Sequence, residues 1–400
     1  MLPADERAIL MKISALKVRG FKSLADVDWQ PGDLNLLIGP NASGKSNLLR
    51  VFEMLSASAQ EGLEKYVQRE GGMEPLVWDG SASSIEFIVE LERLGGADDD
   101  VQTRSRYTLE LTRLGKASSY QIGHESLYDF GPSQSKWLDR SPGRSVFFDE
   151  EQAESEVHEI GEEVETLLSM AGGHFSPNRA IFDVSQNFAS WAVYQDLRTD
   201  RDAPIRLPSI TTLAKRVAPD GQNLVSVLHT LYTSDRDFKR EINVAMTAAF
   251  GNEFEELIFP PASDQRVQLR VRWKSLKREQ SAADLSDGTL RFLFLLAVLG
   301  SPSPAPLIAI DEPETGLHPS MLPIVAEYAA AAATRTQVIL TTHSPAFLDA
   351  FREMIPTITV VNWSEGRTQL QVLSGEQLGY WLKQYTLGEI YRTGELEAMR

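Results

Sequence analysis

Apolar and polar positions follow three rhythms along this chain, and each rhythm predicts a different kind of element. Ile13, Leu16 and Val18 mark a strand from Ile13 to Leu24. After a turn at Pro31-Gly-Asp33, the unbroken run of Leu34, Leu36, Leu37 and Ile38 predicts a short buried strand. Asn47 to Leu55 then carries apolar residues at helical spacing. From 84 to 128 the period falls to two. Ile85, Phe87, Val89 and Leu91 alternate with Glu86, Glu90 and Glu92, and Tyr107, Leu109 and Leu111 continue the pattern. That alternation predicts an antiparallel meander, with Gly95 to Asp100 as a solvated loop tip. Residues 149 to 171 are acidic and fit a surface helix. From about 160 to 260 the period is mainly helical, and Leu224, Val225, Val227, Leu228 and Leu231 form one core stripe.

Two strands are expected next, near Leu257 and from Arg266 to Trp273. A helix from Leu290, a strand at Leu307 to Ile310, a helix at Ser320 to Ala333 and a strand at Gln337 to Thr341 follow. Val360 to Trp363 and Thr368 to Val372 resemble a hairpin around Ser364-Glu-Gly366, and Trp381, Tyr385 and Tyr391 are expected to pack on the domain. The chain has no internal repeat and no long heptad array.

Composition narrows this picture. The chain has 400 residues, 42% hydrophobic and 24% charged, enough for two or three domains. Zero cysteines exclude disulfides and thiolate metal sites. The first residues do not read as a signal peptide, and no apolar run is long enough to span a bilayer, so a soluble cytoplasmic protein is expected. Met11 is a second plausible start, which would make the first ten residues dispensable. A net charge of −17 repels nucleic acid on average, so DNA binding would need a local cationic face or a partner.

The candidate chemistry begins at Gly39-Pro-Asn-Ala-Ser-Gly-Lys-Ser46, which fits G-x-x-x-x-G-K-[ST] between a predicted strand and a predicted helix. In such a loop Gly39, Pro40, Asn41, Ala42, Ser43 and Gly44 offer backbone N–H groups to phosphate oxygens, beside the positive helix end. Lys45 would reach the β- and γ-phosphates of ATP, the Ser46 hydroxyl would hold Mg²⁺, and Asn47 follows at the helix start. Farther on, Pro306-Leu-Ile-Ala-Ile-Asp-Glu-Pro313 is an apolar strand ending in two carboxylates, at the ligand edge of an open α/β sheet. Asp311 would bind Mg²⁺ through water, and Glu312 would act as general base on the attacking water.

Leu285-Ser-Asp-Gly-Thr289 precedes a helix and resembles the signature motif of ABC-type ATPases; Ser286 or Asp287 would also serve there as a helix N-cap. Thr341-Thr-His-Ser-Pro345 follows another apolar strand. Together with Asp311-Glu-Pro-Glu-Thr-Gly-Leu-His-Pro319, Phe21-Lys-Ser23 and Pro219-Asp-Gly-Gln-Asn-Leu224, these motifs resemble the RecF/OLD-like branch of the ABC ATPases over nearly the whole chain. Residues 60 to 175 are the weakest part of the likeness.

The resemblance implies an α/β fold: a P-loop ABC-type ATPase head with an antiparallel β subdomain and a helical insertion lobe. It divides into 1–160, 161–265 and 266–400. It also implies that Ser286, Asp287 and Gly288 contact the γ-phosphate bound to the other subunit of an ATP-induced homodimer. His343 would contact the γ-phosphate and the attacking water. Gln186 is the candidate for the glutamine that couples to the metal, with a structural role as the other reading. Arg19, Phe21 and Lys22 are candidates to meet adenine, Phe21 with core packing as the other role.

OLD proteins carry a C-terminal Toprim nuclease, and the roughly 55 residues after Pro345 are too few for one. Nuclease chemistry would therefore belong to a separate effector. One segment could touch DNA: Arg266, Arg270, Arg272 and Lys274 line one side of a strand, continued by Lys277 and Arg278, unless that face is simply solvated. The expected function is an ATP-hydrolysing switch in DNA repair or anti-phage defence. The competing readings are a DNA-binding loader, an ABC transporter subunit, and a nucleotide-binding scaffold without turnover.

Overall fold

The computed structural model describes residues 10–93, 104–115, 119–130, 134–156, 164–172, 176–351, 354–373 and 375–398. In chain order, β1 (Met11–Phe21), β2 (Leu24–Trp29) and β3 (Leu34–Ile38) lead into helices α1 (Lys45–Ser58) and α2 (Leu63–Arg69). Strands β4 (Ser84–Arg93), β5 (Arg104–Arg113), β6 (Tyr120–Asp129), β7 (Lys136–Ser141), β8 (Arg144–Phe148) and β9 (Glu154–Glu156) follow. Next come α3 (Leu167–Ala171), α4 (Arg179–Ala189), β10 (Ala192–Tyr194), β11 (Ser209–Ile210), α5 (Leu224–Ser234) and α6 (Arg236–Phe250). After β12 (Phe254–Ile258), β13 (Arg266–Val267), β14 (Arg270–Trp273) and β15 (Gln280–Ser281) stand α7 (Asp287–Leu299), β16 (Leu307–Ile310), α8 (Leu322–Ala333) and β17 (Gln337–Thr342). The last elements are α9 (Pro345–Leu348), β18 (Thr357–Ser364), β19 (Arg367–Val372), α10 (Gly375–Trp381), α11 (Leu387–Arg392) and α12 (Glu395–Ala398).

The apolar strands assemble into a six-stranded sheet, order β10-β16-β17-β3-β18-β19. The first five are mutually parallel, and β19 returns antiparallel to β18. A parallel strand covered on both faces must be apolar on both, which is why these runs show no alternation. Leu36, Ile38, Ile308, Ile310, Val338, Leu340, Ile358 and Val360 face one apolar cluster, with α5 to α8. Leu37, Leu307, Ala309, Ile339 and Val361 face the other, with α1 and α4.

That second cluster is closed by an eight-stranded antiparallel sheet, β2-β1-β4-β5-β6-β7-β8-β9. Its strands alternate as the period-two pattern requires: Ile85, Phe87, Val89 and Leu91 are buried, and Glu86, Glu90 and Glu92 pair outward with Arg19, Arg106 and Arg104. A buried amide joins the two sheets. Gln337 Nε2 donates to the Ile13 and Gly32 carbonyls at 2.9 Å each, and its Oε1 accepts from Ile13 N at 3.0 Å.

Several expectations are corrected. Ile13 to Leu24 is not one strand, because Lys22 adopts φ 47° and turns the chain into the β1–β2 hairpin. Glu154–Glu156 pairs with β8 instead of forming a surface helix, and only Leu167–Ala171 is helical in the described part of 149–171. The Gly95 to Asp100 loop lies outside the described residues. The region from 160 to 260 contributes β10, a strand of the central sheet. Arg266 to Trp273 splits, with β13 on β11 and β14 between β12 and β15. The C-terminal hairpin forms as expected, but β18 also lies parallel against β3, a pairing across some three hundred residues. Among the described residues no helix is long and apolar enough to cross a membrane.

Glu125 on β6 is fully buried and accepts from Tyr107 Oη at 2.9 Å, Leu167 N at 2.7 Å and Leu168 N at 2.9 Å. Burial raises its carboxyl above the usual range, and the three donors partly offset this. Glu125→Ala strands three buried donors, so we expect a loss of about 3 kcal/mol in a urea unfolding titration. A raised folded-state value means tighter proton binding in the folded chain. The parent's contribution from this group should therefore be greatest at acid pH and fall as pH rises through the folded value. The variant should lack that slope.

Candidate nucleotide-binding site

Five parallel strands end at one edge of the central sheet, and each delivers polar residues there. From β3 the chain enters the glycine loop. A Cβ at Gly39 would lie 2.1 Å from the Val361 carbonyl, and one at Gly44 would lie 2.0 Å from Thr368 Oγ1. Both positions have positive φ, 150° and 106°, so only glycine fits. Ser23, Thr368 and Asn47 brace the loop from behind. Thr368 Oγ1 donates to the Ser43 carbonyl at 2.8 Å and lies 2.7 Å from Ser23 Oγ, which accepts from Asn47 Nδ2 at 2.7 Å.

Pro40 and Asn41 are exposed, Ala42 takes φ 64°, and the buried Ser43 Oγ has no hydrogen-bond partner. Helix α1 starts at Lys45 with no acidic side chain in its first turn, so its positive end faces the loop uncancelled. Lys45 Nζ lies across the loop, donating to the Gly39 carbonyl at 2.7 Å and the Pro40 carbonyl at 3.0 Å.

From β16 come the two carboxylates. Asp311 Oδ2 accepts from Ser46 Oγ at 2.9 Å, and its Oδ1 accepts from Thr341 Oγ1 at the end of β17. The Thr341 hydroxyl also accepts from Glu312 N at 2.9 Å, holding Glu312 at φ 45°. A left-handed non-glycine residue costs about 1–3 kcal/mol and persists only where its surroundings fix it. Here that geometry aims Glu312 at His343, whose Nδ1 donates to Glu312 Oε1 at 2.8 Å. Thr315 Oγ1 donates to the other oxygen at 3.3 Å. Both side chains remain partly exposed, open to a water or a phosphate oxygen. Behind them Glu314 accepts from Thr342 Oγ1, and burial raises its carboxyl. The Ser46 hydroxyl and Asp311 carboxylate are converging hard oxygen donors, the kind Mg²⁺ takes.

The structure brings Lys45, Ser46, Asp311, Glu312 and His343 to this edge and leaves Gln186 away from it. Gln186 lies in α4, where its Nε2 donates to the Gly172 carbonyl at 3.1 Å. The C-terminal end of α4 feeds the start of β10, so Gln186 sits toward the opposite edge of the sheet. Gln195, directly after β10, stands at the strand-end edge with the glycine loop instead. It lines a cleft with Arg291, Asp311 and Glu312, and its buried Nε2 has no acceptor. The signal was present: Gln195 is the first polar residue after the apolar Trp191 to Tyr194 run, as Asp311 is after Leu307 to Ile310.

Of the adenine candidates, Phe21 is fully buried against Phe87, Lys22 pairs with Glu70, and Arg19 pairs with Glu86 and Asp26.

Ser286 is the N-cap of α7, accepting from Thr289 N at 3.1 Å. Gly288 lies so close to the Gly316 carbonyl that a Cβ would come within 2.7 Å of it. Asp287 pairs with the buried Arg206, which sequence reasoning missed. Arg206 also donates to the Ala282, Ala283 and Leu285 carbonyls at 3.1, 3.3 and 2.7 Å, fixing the approach to the Ser286 loop. The basic strand is paired with carboxylates at two of its positions. Arg270 pairs with Glu279, and Arg272 pairs with Glu256 and Glu279, carboxylates from neighbouring strands and turns.

A family model described as "AAA domain, putative AbiEii toxin, Type IV TA system" matches residues 34–349, well over half of the chain. None of the curated proteins compared matches it. Among solved structures, an SmcHead bound to the C-winged helix domain of ScpA is similar at 15% identity and TM-score 0.54, over 92% of this chain and 99% of that one. The Smc head domain with an extended coiled coil, bound to the C-terminal domain of ScpA derived from Pyrococcus furiosus, is similar at 13% identity and TM-score 0.52, over 94% and 99%. At these identities the likeness is one of fold, and it is the ABC-type ATPase head.

Proposed function

The chain belongs to the AAA-domain family of that model, within the ABC ATPase superfamily, and on this premise we propose that it is an ATP-hydrolysing molecular switch. One observation carries the reading: the hydrogen-bonded series Ser46–Asp311–Thr341–Glu312–His343, assembled at the strand ends beside the glycine loop. Gly39 to Lys45 cradle the triphosphate, with Asn47 keeping the loop braced. Ser46 and Asp311 would hold Mg²⁺, which when bound would neutralise charge on the triphosphate. Glu312 takes a proton from the attacking water as its oxygen bonds to the γ-phosphorus and the bridging bond to ADP breaks. His343 orients the Glu312 carboxylate, and Gln195, rather than Gln186, faces the metal-binding group. Ser286, Asp287 and Gly288 close over the γ-phosphate of a second copy, so hydrolysis releases the pair.

The switch then governs a partner effector. The family description names a toxin of a toxin–antitoxin system, which favours defence over DNA repair. The ion-paired Arg270 and Arg272 weaken the case for direct DNA binding. Specific ATPase activity measured against protein concentration, with Mg²⁺ and no DNA, tests the proposal. The rate per subunit should rise with concentration, as for a site completed in trans. A rate present but constant would mean a preformed oligomer or a site complete within one chain. Absence of Mg²⁺-dependent turnover at every concentration would contradict hydrolysis by the chain alone.

A further inference from the structure

Trp363 stands at the same sheet edge as the nucleotide site and has had no part in it so far. Strand β18 runs parallel to β3, with Val360 beside Ile38, and continues past the start of the glycine loop. The Val361 carbonyl occupies the space a Gly39 side chain would need. Thr359 accepts from Trp29 Nε1 at 3.0 Å, and Val361 packs in the apolar cluster of Leu37 and Leu48. Odd-numbered residues of β18 therefore face α1, and the period of two puts the Trp363 indole on that face.

The cross-strand partner agrees. Trp363 pairs with Thr368 on β19, and paired residues share a face. Thr368 is the residue whose hydroxyl braces Ser43 and Gly44. Thr368 is 1% exposed, because the loop covers it, while Trp363 keeps 53% of its surface exposed beside the loop. The hairpin is also fixed. Thr368 N donates to the Ser23 carbonyl at 2.8 Å, and Trp78 Nε1 donates to the Gly366 carbonyl at 3.2 Å. An open indole on a pinned hairpin beside a phosphate cradle is a preorganised surface for a flat aromatic group.

We propose that Trp363 is the base platform of the nucleotide site, stacking on the purine while the loop holds the triphosphate. This rests on the reading of Gly39 to Ser46 as the phosphate cradle. It assigns the base contact to the C-terminal hairpin instead of Arg19, Phe21 or Lys22, which are paired or buried. Stacking reads a π face and not a base edge, so ATP and GTP should bind alike and CTP more weakly.

Calorimetric titration of the parent, Trp363→Ala and Trp363→Phe with ATP and with inorganic triphosphate tests this. We expect Trp363→Ala to bind ATP about tenfold more weakly and triphosphate unchanged, and Trp363→Phe to keep most of the ATP affinity. Parent-like ATP binding by Trp363→Ala would overturn the platform and leave the cradle standing. Equal losses for ATP and triphosphate would overturn it too, since damage to the loop would then be the cause. Failure of the cradle has its own signature: the parent would bind no triphosphate, and Lys45→Ala would bind ATP as the parent does.

Discussion

Glu312→Gln protein is expected to bind ATP, to hydrolyse it at least about a hundredfold more slowly than the parent, and to persist as an ATP-bound dimer. The substitution is nearly isosteric. The backbone bond from Glu312 N to Thr341 Oγ1 does not involve the side chain, so the left-handed turn and the position of Asp311 should survive. What disappears is the basic oxygen that, in the proposed mechanism, takes the proton of the attacking water. The amide can still contact His343 through its own oxygen, so triphosphate binding through Lys45 and Ser46 is untouched. Binding without turnover should trap the closed pair, read by light scattering or sedimentation with and without ATP. A Glu312→Gln protein that stays monomeric under saturating ATP would count strongly against the switch. One that hydrolyses at the parental rate would remove Glu312 as the base.

The same residues show what the sequence made legible. The glycine loop and the Asp311-Glu312 pair are local: the motif and the strand that positions it lie within a dozen residues of each other. Their place at the sheet edge therefore follows from strand and turn chemistry alone. Thr341 was legible only as part of a motif. Its bridging of Asp311 and Glu312 depends on β17 lying next to β16, a tertiary fact. Gln195 was missed because β10 is only three residues long and sits in a stretch whose other periodicities are helical. Arg206 meets Asp287 across some eighty residues, and no spacing rule links a 3₁₀ turn to a distant helix cap.

The basic strand shows the converse: its sequence leaves a phosphate-binding face and a solvated face both open. Alternation correctly predicted one polar face, but the carboxylates that pair with Arg270 and Arg272 come from Glu256 and Glu279 on adjacent segments. Trp363 lies in a hairpin that the pattern predicted. Its functional neighbourhood appears only when β18 is laid against β3.

Mixing two inactive variants should restore activity, and this decides whether the site is shared between subunits. Lys45→Ala removes the cation from the cradle and should abolish turnover in its own site. For the signature the informative change is Ser286→Asp. Ser286 caps α7 through its Oγ, and aspartate caps a helix about as well as serine, so α7 and the Arg206–Asp287 contact should hold. Gly288 is a poorer choice, since any Cβ there meets the Gly316 carbonyl at 2.7 Å and damages the fold instead of the function. In the proposed shared site the new carboxylate would face the γ-phosphate of the opposite subunit and repel it, so Ser286→Asp alone should also be inactive.

In an equimolar mixture with free exchange about half of the dimers are mixed, and each has one site with intact Lys45 on one chain and intact Ser286 on the other. The mixture should therefore recover about a quarter of the parental rate. If Ser286 instead served the site of its own chain, each chain would remain broken by its own substitution, and mixing would recover nothing. Parental activity in Ser286→Asp alone would show that the loop takes no part in catalysis, in either arrangement.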